Sequence, residues 1–158
     1  MIGNTTALAI KAILFLSLDG SSTPVAPRLI ADQLGASPTY TAKVMRSLVR
    51  AGILRAYRGA QGGVTLSRPS EEITMRAVLE ACQGQIFGDL CSDTPSLDGV
   101  CSFHRAMAEL HDSIIEVLSK WSIADLAQCP VHTGEPDEAK DCRMFGVVPN
   151  NPDFVFPT

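Results

Sequence analysis

Apolar residues recur at helical spacing from Thr5 to Leu18, with Asn4 or Thr5 available as a cap and Gly20 just past the last turn, which predicts a buried helix. The Ser21-Ser22-Thr23-Pro24 stretch breaks that run. Pro27 then opens a short helix through Leu29, Ile30 and Leu34 to Gly35, and Ser37 with Pro38 at the first helical position opens another. Two short helices joined by Gly35-Ala36-Ser37 read as a helix-turn-helix. In the second, Val44, Met45, Leu48 and Val49 supply the inward side, while Thr39, Lys43, Arg46 and Arg50 share the outer face.

Residues 53–58 have the composition of a short strand, Gly59-Ala60-Gln61-Gly62-Gly63 that of a turn, and Val64-Thr65-Leu66 that of a second strand, so a β-hairpin is expected. A helix is expected from Ser70 through Ile73, Met75, Val78 and Leu79 to Cys82 and Gly84. Residues 84–101 show no helical period. Beyond them Phe103, Met107, Leu110, Ile114, Val117 and Trp121 alternate spacings of four and three, a heptad-like seam on a helix of about five turns. Such a seam needs a partner, and a second copy of the chain is the expected one. Residues 128–158 hold half of the ten prolines, mixed with acids, and read as a flexible tail.

The expected fold is therefore mainly α with a small β-hairpin wing: a winged helix-turn-helix plus a long dimerisation helix. Residues 1–83 are expected to form the winged helix-turn-helix unit, 84–101 a cysteine-bounded loop, 102–127 the dimerisation helix and 128–158 the tail.

The chain has 158 residues, enough for one domain with attachments. With 46% hydrophobic and 19% charged residues it is not wholly disordered, and no apolar run approaches the roughly 20 residues needed to cross a bilayer. Residues 1–20 lack the cleavage pattern of a secretory signal, so a cytoplasmic protein is expected and the five cysteines read as thiols or metal ligands. The net charge of −4 conceals an asymmetry. Residues 1–70 carry eight bases against two acids, and residues 71–158 carry five bases against fifteen acids. A basic amino-terminal half points to a polyanion as its partner. On the second short helix, Lys43, Arg46 and Arg50 suit phosphates, while Ser37, Thr39 and Tyr40 lie nearest the bases. Arg58, at the mouth of the glycine turn, is positioned for the minor groove.

These elements resemble the Rrf2 family of bacterial winged-helix regulators over roughly residues 5–127. Residues 54–64, with Arg58 and the paired Gly62 and Gly63, resemble the family's wing motif. Ser37-Pro38-Thr39-Tyr40 is similar to its Ser-x-x-Tyr at the start of the recognition helix. Cys101-Ser102-Phe103-His104 and Ser122-Ile123-Ala124-Asp125-Leu126 are similar to the end of its sensor loop and to its Thr-Leu-Ala-Asp-Leu. The resemblance implies a dimer that binds palindromic double-stranded DNA and represses transcription, with DNA contacts that include the wing glycines. It also implies an iron-sulfur cluster on Cys91, Cys101 and His104, a two-iron form being expected over a four-iron form. Cys82 or Cys129 is the candidate fourth ligand. The chain departs from cluster-bearing relatives in lacking the middle loop cysteine and in carrying Ala7 where some have an acidic ligand. A thiol/disulfide sensor of the same fold, and a sensor of a small metabolite, therefore stand as alternatives.

Cys129-Pro130-Val131-His132, with Cys142 beyond, leaves a zinc site in the tail open. His111, on the long helix, reads as structural. An enzyme is not expected: the neighbouring Cys101 and His104 have no identifiable orienting acid, and no phosphate loop or nucleotide fingerprint occurs. A dimeric interaction module without DNA binding would explain the seam but not the basic half.

Overall fold

The computed structural model describes residues 2–20, 23–59, 61–86, 99–128 and 144. Its elements are α1 (Asn4–Asp19), α2 (Pro27–Gln33), α3 (Pro38–Arg50), β1 (Leu54–Tyr57), β2 (Gly63–Leu66), one 3-10 turn (Ser70–Glu72), α4 (Met75–Gln83), α5 (Ser102–Lys120) and α6 (Ile123–Ala127). The expected winged helix-turn-helix with a long helix is the fold observed.

α1 is buried as its apolar run predicts, with Ala9, Ala12 and Ile13 fully enclosed. Around it pack Ile30 of α2, Met45 and Leu48 of α3, Leu79 of α4 and Ile123 of α6, all nearly inaccessible to solvent. Each such side chain contributes about 1.5–3 kcal/mol on burial. One core thus includes Leu118, near the end of α5, and Ile123 along with the winged-helix elements.

Local signals and tertiary contacts part company at three places. Gly3, and not Asn4 or Thr5, is the N-cap of α1, and no side chain caps that end. Ser37 does occupy the N-cap of α3 ahead of Pro38, but its hydroxyl makes no capping bond. The helix expected from Ser70 is split: Ser70–Glu72 form the 3-10 turn, Ile73 is extended, and α4 starts after Thr74, whose hydroxyl accepts from the N–H of Ala77 at 3.2 Å. The cause is a backbone clamp. Ile123 N–H donates to the Ile73 carbonyl at 2.8 Å, and Met75 N–H donates to that of Trp121 at 2.8 Å. A fully buried Ile73 with its carbonyl committed to Ile123 cannot also join a helix begun at Ser70.

The hairpin is antiparallel, with Leu54 opposite Leu66 and Tyr57 opposite Gly63. Its first strand is shorter than expected, ending before Arg58 and beginning after Ile53, whose carbonyl instead accepts from Ser67 N–H at 3.0 Å. Val25, which the sequence left in a connection, pairs with Val64 through two backbone bonds of 3.0 and 2.9 Å.

α5 turns its Ile115 and Leu118 inward, with Ile114 also packed on the core. Phe103, Leu110, Val117 and Trp121 remain 69%, 46%, 54% and 44% exposed, and Trp121 lies just past the helix end. Most of the heptad seam is thus not spent on the chain's own domain. Among the described residues no helix is long and apolar enough to cross a membrane. Met144 is half-buried against the core. The rest of the expected tail, and residues 87–98 of the expected sensor loop, lie outside the described residues.

Candidate nucleic-acid interface and cysteine site

The turn between α2 and α3 is closed by Gly35, at φ 60°, and by the Ala36 N–H donating to the Ala31 carbonyl at 2.9 Å. Only a residue tolerant of the left-handed region serves there without strain. This turn sets α3 across α2 with Thr41, Val44, Met45 and Leu48 buried beneath it. The opposite face presents Thr39, Lys43, Arg46 and Arg50, exposed as their spacing predicts, and Ser37 and Tyr40 are exposed beside them. None of Lys43, Arg46, Arg50 and Arg58 forms an ion pair among the described residues, unlike Arg76, which pairs with Glu80. Their charge is left to act on an external anion. Tyr40 differs from its neighbours: its hydroxyl is bonded to that of Thr5 on α1 at 2.5 Å.

The wing stands beside α3. Arg46 and Val49 of α3, and Tyr57, Gly59 and Gly62 of the hairpin, border one cleft of about 400 Å³. Arg58 is exposed at the tip, next to Tyr57, which is 44% exposed. The paired glycines have a steric reason to be glycine. A Cβ on Gly62 would stand 2.5 Å from the Tyr57 carbonyl oxygen, and one on Gly63 would stand 2.5 Å from the Val25 backbone. Tyr57 as a groove residue, and Thr5 as the partner of Tyr40, are the parts that sequence reasoning missed. For Tyr57 the signal was available, an aromatic residue immediately before the wing arginine.

The cysteine site is partly in view. Cys101 is the N-cap of α5, exposed, with a side chain that caps no N–H group, and its carbonyl accepts from Arg105 N–H at 3.1 Å. His104 follows in the first turn, half-buried, with no hydrogen bond or ion pair among the described residues. A thiol and an imidazole placed one turn apart and otherwise uncommitted are donors of the type iron takes. Cys82 is different: it sits half-buried on α4 against the core, and burial pushes its thiol pKa up. That setting suits a small apolar side chain better than a ligand. Cys91 and Cys129 lie outside the described residues. Among the described residues no three His, Cys, Asp or Glu side chains gather as a metal site.

A helix-turn-helix with an uncommitted basic face beside a hairpin wing defines the class of winged-helix DNA-binding proteins. Residues 2–129 match the Rrf2 family, described as iron-dependent transcriptional regulators. The chain belongs to this family. It is 28% identical over 129 residues to the HTH-type transcriptional repressor NsrR of Streptomyces coelicolor, which spans 79% of this chain and 86% of that one. In fold it is similar to CymR, the global cysteine regulator of B. subtilis, with a TM-score of 0.65 and 22% identity over 80% of this chain and 95% of CymR. It is likewise similar to IscR of T. potens, with a TM-score of 0.64 and 24% identity over 80% of this chain and 85% of IscR.

Proposed function

We propose that the chain is a homodimeric repressor that binds a palindromic operator in the cytoplasm, its DNA affinity set by an iron-sulfur cluster. The observation that carries the DNA-binding part is the α3–wing surface. Lys43, Arg46 and Arg50 on the helix and Arg58 on the wing are exposed and unpaired among the described residues, with Arg46 and the wing bordering one cleft. In this reading Lys43, Arg46 and Arg50 grip phosphates, Ser37, Thr39 and Tyr40 lie at the major-groove end of α3, and Arg58 enters the minor groove. Gly62 and Gly63 let the wing backbone come close to the duplex.

The exposed stripe of Phe103, Leu110, Val117 and Trp121 supports pairing of two α5 helices. A twofold dimer then presents its recognition helices about one DNA turn, roughly 34 Å, apart.

Cys91, Cys101 and His104 would hold the cluster, a two-iron form, with Cys129 as the fourth ligand, since burial on α4 disfavours the thiolate that Cys82 would have to supply. The uncommitted side chains of Cys101 and His104 support this assignment. When bound, such a cluster would supply an iron centre responsive to iron supply, oxidant or nitric oxide. Cys101 and His104 begin α5, whereas the Ile73–Ile123 clamp fastens the far end of that helix to the winged-helix unit. Ligation at the start of α5 would therefore tie residues 84–101 to the dimer helix and set the separation of the reading heads.

Titration of duplex DNA at several salt concentrations tests the reading. A regulator of this kind gives a steep fall of affinity with salt and prefers one sequence over random DNA. Binding that ignores salt and sequence would refute it.

A further inference from the structure

Tyr40 opens α3 beside Ser37 and Thr39, yet its hydroxyl is not left to the duplex alone. It is bonded to the hydroxyl of Thr5, across thirty-five positions of sequence, at 2.5 Å. Thr5 stands in the first turn of α1, where the adjoining Thr6 is 1% exposed and Ala9 and Ile13 are fully enclosed. The helix that carries Thr5 is thus anchored in the core immediately beyond it. Tyr40 itself is 37% exposed. Without a partner its phenol would swing about two side-chain torsions; with Thr5 it is fixed at one place on the rim of α3.

The chemistry of the pair narrows what it meets there. Two hydroxyls carry two hydrogens, and one of these is used between them. One O–H remains as a donor. A phosphodiester oxygen offers acceptors only, and Lys43, one turn along the same exposed face, brings a phosphate near. The sequence alone set Tyr40 nearest the bases; bonded to α1, its hydroxyl is held toward the first helix.

We infer that Thr5 is a positioning residue for DNA binding, holding Tyr40 so that the hydroxyl pair donates to a backbone phosphate. This inference rests on the DNA-binding reading above. The contact is independent of base sequence, so it is tested without an operator, by fluorescence anisotropy of the full chain on a short duplex of arbitrary sequence. Thr5→Val keeps the branched shape and removes the hydroxyl; Tyr40→Phe removes the other. Each should weaken binding about five- to tenfold, and the double variant should be no weaker than either single one. Thr5→Ser should bind close to wild type. Because no cation is removed, the dependence of affinity on salt should keep its slope, and thermal midpoints should stay near that of wild type. Unchanged affinity in Thr5→Val, losses that multiply in the double variant, or a reduced salt slope would each overturn the inference. Wild-type protein that binds no duplex at all would instead remove the functional reading on which it rests.

Discussion

Ser122 and Asp125 close a reciprocal capping box at the start of α6. The Ser122 hydroxyl accepts from Asp125 N–H at 3.1 Å, and the Asp125 carboxylate accepts from Ser122 N–H at 2.8 Å and from its hydroxyl at 2.6 Å. The Ser122 side chain first, and its backbone N–H second, hold the Asp125 carboxyl below the usual carboxylate range. The box fixes the residue before Ile123, which carries the clamp to Ile73. Sequence, cap and core burial are therefore linked at one corner that joins α5 to the winged-helix unit.

A carboxylate held low stabilises the fold above its ordinary pKa, and that stabilisation is lost as pH falls through the folded value. Asp125→Asn should therefore lie below wild type in denaturant midpoint at neutral pH, with the gap closing in acid. Ser122→Ala should cost about 1 kcal/mol by the same measurement. A gap that widens in acid would contradict the assignment.

The α5 stripe makes a separate prediction about assembly. Leu110 and Val117 are exposed, whereas Ile114 also packs on the core, so Leu110→Glu with Val117→Glu isolates pairing from folding. Light scattering should find a folded monomer, and affinity for DNA should fall with the loss of the second reading head. An unchanged dimer would show that the interface lies elsewhere.

Arg58 and Lys43 should divide specificity from general grip. Arg58→Ala is expected to cost about 1–3 kcal/mol on the operator and much less on random duplex, whereas Lys43→Ala should weaken both alike and lower the salt slope by about one. Equal losses for Arg58→Ala on both duplexes would make it a phosphate contact.

What was legible in the sequence was whatever periodicity controls. The buried and exposed faces of α3 follow from the spacing of Val44, Met45 and Leu48 against Lys43, Arg46 and Arg50. The wing followed from glycines flanked by short strand-like runs. What escaped was set by contacts distant in sequence. Ser70 with Glu71 and Glu72 looks locally like a helix start, but pairing of Ile73 with Ile123 overrides it. Gly63 is explained by the approach of Val25, and the fixed phenol of Tyr40 by Thr5, and neither neighbour lies in the local window. For the cysteine site, the family resemblance brought out Cys101 and His104, and the structure adds the half-buried setting of Cys82 on α4.

Whether a cluster governs DNA affinity is decided on protein purified without oxygen. Iron and sulfide are counted per chain, and duplex binding is followed before and after the metal is removed. The expected result is bound iron with visible absorption, loss of both in Cys101→Ala and Cys91→Ala, and a DNA affinity that changes on removal in wild type but stays at one level in those variants. Iron-free protein whose DNA binding still shifts with mild oxidant through Cys91 and Cys101 would contradict it and make the loop a disulfide switch.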